Sequence, residues 1–325
     1  MARPRVFVTR NIERNALLRL QQFADVEVWP LEPPPSKNEI KARMAALDGI
    51  LTMLTDPMDD EMIRAGGSNF RVISQMAVGY DNIDVQTATM RKIPVGHTPG
   101  VLTEACADFT FALLLSAARR IAESDSEVRQ GIWRPWGPDV LTGFELNGAT
   151  LGIIGFGRIG QAVARRAKGF GLRILYHDPS QFPALEDELG VEFATFNQIL
   201  QESDFISLHA YLSPETRKMI NRDAFSKMKP NTILVNTARG AIIDSDALIW
   251  ALEEKIIAGA GLDVFDPEPI PVNHPILNYK NVVITPHIAS AGLKTRQKMA
   301  EIAVDNLLAG LNGKPLPYCA NPQIY

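Results

Sequence analysis

Cysteine is nearly absent from this chain of 325 residues, which contains only Cys106 and Cys319. Neither residue lies in the spacing of a metal-binding motif, so the sequence predicts no metal site and no disulfide-held fold. We therefore expect a protein of a reducing compartment, the cytoplasm. Long apolar runs are also lacking, because the longest, residues 109–118, falls well short of the roughly 18 residues that span a bilayer. We expect a soluble protein with no membrane partner.

Charged residues form no long run of one sign, and the formal net charge is −4. This balance argues against a nucleic acid or an anionic membrane as the main partner. The composition, 46% hydrophobic and 22% charged, is that of an ordinary globular protein. A chain of 325 residues exceeds one ordinary hydrophobic core, which favours two domains.

Short β-rich runs alternate with helical patterns along nearly the whole sequence. This alternation is typical of βαβ units in a parallel sheet. The fold class that we predict is α/β, with two doubly wound parallel-sheet domains. The predicted strands form a first series and a second series: 6–8, 49–53, 72–74 and 94–96, then 150–155, 173–177, 205–209, 232–236, 261–264 and 282–285.

Two predicted helices, about 104–120 and 293–311, flank the second series of strands. We interpret residues 101–290 as a cofactor domain inserted into a discontinuous substrate domain, residues 1–100 and 291–325. Glycine beside proline or small residues in 97–100 and 290–292 is the expected punctuation where the chain crosses between domains.

A glycine fingerprint follows the strand at 150–155. Gly155, Gly157 and Gly160 form G-x-G-x-x-G ahead of a helical pattern, where a dinucleotide pyrophosphate binds at the helix N-terminus. Arg158 lies inside this loop and is suited to a charge-assisted contact. Asp178 ends the next strand, about 20 residues on, where a carboxylate binds ribose hydroxyls and repels a 2′-phosphate. The sequence thus favours NAD over NADP; the plainer alternative for Asp178 is a turn residue.

Three later strand ends carry residues suited to redox chemistry on an acid. Arg239 is a charged planar fork that matches a carboxylate, although an interdomain salt bridge is the alternative. Glu268 lies between two prolines and is suited to hold a histidine, or else is a solvated turn residue. His287 is the candidate general acid and base. Asp263 is a candidate acceptor for the nicotinamide carboxamide.

A second histidine, His209, also ends a predicted strand and competes with His287 for the acid role. It has no obvious acidic partner, whereas Glu268 lies one strand before His287. The remaining three histidines are interpreted as a hinge, a surface and a loop residue: His97, His177 and His274.

With these residues in view, the chain resembles the D-2-hydroxyacid dehydrogenases. Five segments carry the resemblance in family order over nearly the whole chain: 78–84, 155–160, 236–240, 263–269 and 285–290. The resemblance implies a Rossmann cofactor domain inserted in a flavodoxin-like substrate domain, with the active site in the cleft. It implies reversible reduction of a short 2-oxo acid to the D-2-hydroxy acid.

The resemblance also implies roles for individual residues. Arg239 would bind the substrate carboxylate and carbonyl, His287 would donate the proton, and Glu268 would tune His287. Substrate would further meet Leu54 and the loop 76–79, which offers backbone amides to the carboxylate. Candidate substrate contacts are thus Leu54, Ala77, Val78, Gly79, Arg239 and His287. Besides the glycine loop and Asp178, candidate cofactor contacts are Thr103, Ile159, Ala210, Tyr211, Thr216, Thr237, Ala238, Arg239, Asp263, His287 and Ala289.

Within the family, the nearest likeness is to glyoxylate and hydroxypyruvate reductases. Asp178 departs from the commoner pattern of that subgroup, in which a serine–arginine pair accepts NADP, and Tyr211 stands where the family usually has proline. The resemblance implies a homodimer, and the segment 131–138 is the candidate arm around the partner. Its residues Trp133 and Trp136 suit an interface, with local packing as the alternative.

Two other functions compete with this interpretation. An NAD-sensing corepressor-like protein of the same fold would keep the same residues, but the chain lacks disordered tails and partner-peptide features. A formate or phosphite dehydrogenase is disfavoured, because a formate enzyme would carry glutamine in place of Glu268. The segment before Tyr80 also lacks the lysine expected for phosphite.

Overall fold

The computed structural model describes residues 3–325 and divides the chain into two compact units. Unit 1 is formed by residues 3–102 and Ala291–Tyr325, and unit 2 by Thr103–Ser290. The chain therefore leaves unit 1 after Leu102 and returns after Ser290, where the sequence interpretation placed these crossings after Gly100 and Ser290.

Unit 1 contains a five-stranded parallel sheet in the order β2-β1-β3-β4-β5. This order is that of flavodoxin-like doubly wound sheets. Its strands are β1 (Arg5–Val8), β2 (Asp25–Val28), β3 (Gly49–Thr52), β4 (Val72–Gln75) and β5 (Val95–Gly96). Its helices are α1 (Arg14–Phe23), α2 (Lys37–Met44), α3 (Asp60–Ala65), α4 (Val85–Met90) and, after the crossing back, α12 (Leu293–Leu311).

Unit 2 contains a seven-stranded parallel sheet in the order β12-β11-β10-β9-β6-β7-β8. Its strand order reverses between β6 and β9, as in Rossmann domains. The strands are β6 (Thr150–Ile154), β7 (Arg173–His177), β8 (Val191–Phe193), β9 (Phe205–Leu208), β10 (Ile233–Asn236), β11 (Gly259–Leu262) and β12 (Val282–Ile284). The helices are α5 (Thr103–Ala118), α6 (Ile121–Arg129), α7 (Arg158–Gly169), α8 (Pro183–Leu189), α9 (Phe196–Glu202), α10 (Arg222–Ser226) and α11 (Ser245–Glu253).

Central strands are buried along their full length because helices cover both faces of each sheet. Every residue of β3, β4, β6, β9, β10 and β11 is buried. Such strands are read as continuous apolar runs in sequence, which is why the pattern predicted them well. Helix starts are marked by local chemistry: Ser36 with Glu39, and Thr195 with Gln198, form complete capping boxes at α2 and α9.

The predicted fold class, two doubly wound parallel-sheet domains, is confirmed. The expectation of six strands in the second series was wrong, because the edge strand β8 adds a seventh. The edge strand β2 was also missed, since its residues alternate between exposed and half-buried and provide no apolar run. Among residues 3–325, no helix is long and apolar enough to cross a membrane.

A buried tyrosine ties the turn after β7 to α8. The hydroxyl of Tyr176 donates to Glu186 Oε1 at 2.6 Å and accepts from the Phe182 amide at 2.8 Å. Burial, and then the hydrogen bond to Glu186, raises the pKa of Tyr176 to about 12. The phenol therefore stays protonated at neutral pH and provides both bonds.

Tyr176→Phe should lower the free energy of unfolding by about 1–2 kcal/mol, because it leaves the half-buried Phe182 amide without its acceptor. Urea unfolding should show a lower midpoint at an unchanged m-value. Tyr279→Phe is the matched control, because no hydrogen bond of the Tyr279 hydroxyl is found among the described residues. Equal losses in both variants would contradict this account of Tyr176.

Candidate active site

The glycine loop joins β6 to α7 at the carboxyl edge of the unit 2 sheet. Gly155 has φ of +91°, and a Cβ there would lie 2.5 Å from the Ala210 amide nitrogen. A Cβ at Gly160 would lie 2.3 Å from the Gly155 carbonyl oxygen. A Cβ at Gly157, by contrast, would meet no heavy atom within 4 Å, and no side chain caps this end of α7. The loop thus packs tightly on one side and presents backbone and helix amides on the other, which suits a phosphate group.

Asp178 lies beside this loop. Its Oδ2 accepts a hydrogen bond from the Phe156 amide at 2.8 Å, and its Oδ1 accepts from the Ser180 amide at 3.0 Å. The carboxylate is therefore held against the glycine loop by backbone donors. No lysine or arginine follows in residues 179–182, so the sequence supplies no cation there for a 2′-phosphate.

His287 and Glu268 form the most direct polar pair of the site. The His287 Nδ1 lies 2.7 Å from Glu268 Oε2, and Glu268 Oε1 accepts from the Phe265 amide at 2.8 Å. Both side chains are about one-fifth exposed, at 21%. With Nδ1 engaged by the carboxylate, Nε2 is the nitrogen left to exchange a proton with a ligand.

The loop that carries His287 is fixed by Asp263, whose side chain is fully buried. Its Oδ1 accepts from Thr285 Oγ1 at 2.7 Å and from the Ile288 amide at 2.8 Å, and its Oδ2 accepts from the Ala289 amide at 2.8 Å. These three donors compensate the burial of the carboxylate. They also hold His287 in the left-handed region, at φ of +55°. The contact of Asp263 with a nicotinamide stays a prediction; what is found here is an anchor for the histidine loop.

Arg239 follows β10, the strand next to β11. Asn236 organises its turn by accepting from the Ala238 amide at 3.0 Å and donating to the Arg239 carbonyl at 2.9 Å. A Cβ at Gly240 would lie 2.0 Å from the Phe265 carbonyl carbon, so this turn packs directly on the β11 loop. Arg239, Glu268 and His287 thus come from the ends of three adjacent strands, β10, β11 and β12.

Other predicted cofactor contacts of unit 2 lie in four places. Ala210, Tyr211 and Thr216 belong to the loop after β9, which the Thr216 hydroxyl orders by donating to the Tyr211 carbonyl at 2.6 Å. The Tyr211 residue is 63% exposed. Thr103 is the first residue of α5, and Ile159 lies in the first turn of α7. Thr237 Oγ1 lies 3.1 Å from Thr110 Oγ1.

The candidate substrate loop, residues 76–79, follows β4 in unit 1. Within residues 3–325, the amides of Ala77, Val78 and Gly79 have no hydrogen-bond acceptor. Val78 and Gly79 are half-buried, and Leu54 lies in the loop after the neighbouring strand β3. Three successive unpaired amides at a sheet edge are suited to an anion.

His209 and His97 have hydrogen-bond partners that the sequence interpretation did not predict. Ser207 Oγ lies 2.8 Å from His209 Nε2, and desolvation lowers the pKa of His209 to about 3, so this histidine is neutral near pH 7 and a poor acid. His97 was interpreted as a hinge residue, yet its Nδ1 contacts the Val78 carbonyl at 3.1 Å. The available signal was that β4 and β5 are neighbours, which brings their carboxyl ends together.

Comparison with known proteins places the chain in a family. Residues 111–289 match the family model described as D-isomer specific 2-hydroxyacid dehydrogenase, NAD binding domain. A glyoxylate reductase of Korarchaeum cryptofilum is 50% identical over 99% of this chain and 97% of its own length. A glyoxylate reductase of Thermococcus litoralis is 46% identical over 99% and 98%.

The chain belongs to the D-isomer specific 2-hydroxyacid dehydrogenases. It is therefore an oxidoreductase, and the resemblance inferred from its motifs is confirmed. Among solved structures, an NADPH-dependent glyoxylate/hydroxypyruvate reductase from Sinorhizobium meliloti, in complex with NADP and malonate, is similar with a TM-score of 0.87. It is 33% identical, and the match covers 100% of this chain and 98% of that one. The family domain binds NAD or NADP.

His209 gives a test of the electrostatics of unit 2. Because its pKa is about 3 in the folded chain and about 6.5 in an unfolded one, the unfolded state binds the extra proton between these values. The stability that depends on neutral His209 is present above pH 6.5 and is lost as the pH falls towards 3. Urea unfolding at pH 7, 6 and 5 should show a steeper loss in the wild type than in His209→Gln, by about 1 kcal/mol per pH unit. Equal slopes would contradict the assignment of His209 as a desolvated, neutral residue.

Proposed function

We propose that this protein reduces a short 2-oxo acid of the glyoxylate or hydroxypyruvate type to the D-2-hydroxy acid, with NADH as the preferred cofactor. The observation that carries this proposal is the contact between His287 and Glu268 at the end of adjacent strands. A histidine held by a carboxylate is suited to give a proton to a carbonyl oxygen and to take it back in the reverse direction.

Glu268 and Asp263 both orient His287, the first through its ring and the second through its backbone loop. Glu268 accepts the Nδ1 proton, so that Nε2 is the nitrogen that exchanges a proton with the substrate oxygen. Asp263 holds the loop on both sides of His287 through the Thr285, Ile288 and Ala289 donors. The acid is therefore oriented before a substrate arrives, which removes part of the entropic cost of reaction.

Substrate charge is the second element of the proposal. Arg239 offers a permanently charged fork for the carboxylate and the carbonyl oxygen. The unpaired amides of Val78 and Gly79 offer neutral donors to the carboxylate. We assign Leu54 and Ala77 to the same substrate surface of unit 1.

The residues of unit 2 fit a dinucleotide. Gly157 leaves open space where a pyrophosphate would approach, and the uncapped N-terminus of α7 provides donors for it. Bound NADH supplies the hydride. Asp178 would accept from ribose hydroxyls and would repel a 2′-phosphate, which supports NADH over NADPH although a similar structure holds NADP.

We further infer a homodimer in a reducing compartment. Trp133 is 78% exposed and Trp136 is 92% exposed, which favours a partner protomer over this segment. Cys106 and Cys319 form no disulfide, in keeping with a cytoplasmic protein.

Arg239→Ala should lower kcat/KM for glyoxylate by about 10²–10³-fold, because it removes the charged donor to the substrate oxygens. NADH binding, measured by fluorescence titration, should be largely retained, because the glycine loop and Asp178 remain in place. Arg239→Lys keeps the charge and loses the planar fork, and it should rescue only part of the activity. An Arg239→Ala enzyme that kept most of its activity would show that these roles are wrongly assigned.

Cofactor choice is tested with a panel of glyoxylate, hydroxypyruvate and pyruvate, each assayed with NADH and with NADPH. We expect at least about a tenfold preference for NADH, equivalent to about 1.4 kcal/mol. Asp178→Asn should weaken that preference, because it removes the charge that repels a 2′-phosphate. Asp187→Asn makes the same charge change on the exposed surface of α8 and is the control. A strong NADPH preference of the wild type would overturn the role given to Asp178.

A further inference from the structure

Three carbonyl groups of the loop 76–79, those of residues 77–79, are bound from within unit 1. The Ala77 carbonyl accepts from the Thr98 amide at 2.8 Å. The Val78 carbonyl lies 3.1 Å from His97 Nδ1, and the Gly79 carbonyl accepts from Gln75 Nε2 at 2.7 Å. Three successive carbonyls are thus occupied, while the amides of the same three residues have no acceptor within residues 3–325.

The contact between His97 Nδ1 and the Val78 carbonyl determines which nitrogen of the imidazole carries a proton. A carbonyl oxygen can only accept, so His97 Nδ1 carries a proton and donates it to Val78. The imidazole also packs edge-on against the Tyr80 ring, with centroids 5.3 Å apart and planes at 88°. Two contacts therefore hold the imidazole beside the loop. They are the hydrogen bond that Nδ1 donates and the edge-to-face contact with the Tyr80 ring.

The backbone of His97 is itself anchored by the C-terminal part of the chain. The buried amide of Asn306, in α12, donates to the His97 carbonyl at 2.9 Å and accepts from the Tyr318 amide at 3.0 Å. The His97 amide donates to the Tyr318 carbonyl at 3.3 Å. These hydrogen bonds fix the backbone position of His97, the residue that provides the Nδ1–H donor.

We propose that His97 is a positioning residue for substrate binding: its Nδ1–H holds the Val78 carbonyl so that the Gly79 amide is aligned to receive the substrate carboxylate, as the Thr98 amide aligns the Val78 amide through the Ala77 carbonyl. A peptide plane has its carbonyl and the following amide on opposite sides, so fixing the Val78 carbonyl fixes the Gly79 amide. Gln75, which forms a reciprocal pair with Asn82, holds the next carbonyl of the loop, that of Gly79. This inference rests on the proposed function, which supplies the carboxylate.

The expected signature is a change in substrate binding rather than in chemistry. The carboxylate is held alike in the ground state and the transition state, so misaligned amides should raise KM and leave kcat nearly unchanged. Loss of one neutral hydrogen bond, about 0.7–1.4 kcal/mol, corresponds to roughly a three- to tenfold rise in KM.

Two variants separate the donor from the ring. His97→Asn keeps an amide donor close to the Nδ1 position and loses the ring, whereas His97→Phe keeps a ring against Tyr80 and loses the donor. We expect His97→Phe to raise KM for glyoxylate about three- to tenfold at near-constant kcat. His97→Asn should remain within about twofold of the wild type. NADH affinity, set in unit 2, should be unchanged in both variants and reports that each is folded.

Amide chemical shifts give a readout that does not depend on turnover. In the NADH complex, oxamate should shift the ¹⁵N–¹H signals of Val78 and Gly79 in the wild type and in His97→Asn at similar concentrations. His97→Phe should need about three- to tenfold more oxamate for the same shift. An unchanged KM and oxamate response in His97→Phe, or equal defects in both variants, would overturn the positioning role.

The proposed function fails by a different result. If the wild type reduced none of the 2-oxo acids of the panel, the activity assignment would be wrong. The oxamate titration would still test the role of His97, because it does not depend on turnover. If oxamate did not shift the Val78 and Gly79 signals of the wild type, the inference would be wrong as well. An active wild type with an unaffected His97→Phe variant overturns the inference alone.

Discussion

The parallel direction of all strands is the constraint on which the rest of the structure depends. Because every strand in a sheet points the same way, the loops that follow the strands leave from one edge. Residues as distant in sequence as Gly155, Asp178, Arg239, Glu268 and His287 therefore lie at the same edge of the unit 2 sheet. The pairing of β10 with β11 and of β11 with β12 places the last three on neighbouring loops. No local interaction in the sequence could bring them together without that register.

Register alone places loops near each other, and buried polar groups then give them a defined shape. Asp263 has no exposed surface, and leaving its carboxylate unpaired would cost several kcal/mol. Its three donors come from residues on both sides of His287, so satisfying the carboxylate also fixes the histidine. The close approach of Gly240 to Phe265 locks the arginine turn against the same loop. The constellation is thus ordered by groups that themselves need not touch a substrate.

The sequence predicted most of what is repeated or buried and little of what depends on pairing. The central strands are buried and mostly apolar, and the glycine loop has a spacing with a direct mechanical meaning, so both were recognised. The edge strand β2 was missed because Asp25 and Glu27 interrupt any apolar run. The competition between His209 and His287 needed the structure, since burial rather than spacing makes His209 neutral. The contact of His97 with Val78 joins residues 19 apart in sequence, and no local pattern encodes it.

The loop that carries His287 and the loop after β4 are held in place by different backbone groups. The groups that remain for a ligand therefore differ as well. In the histidine loop, a buried carboxylate takes up backbone amides, and the imidazole beside them is the group left for proton exchange. In the loop after β4, three donors take up backbone carbonyls, and the amides remain for a ligand. Had that loop been ordered through its amides instead, its unpaired carbonyls would repel an anion. The donors of Gln75, His97 and Thr98 therefore determine both the shape of the loop and the sign of the ligand that it can accept.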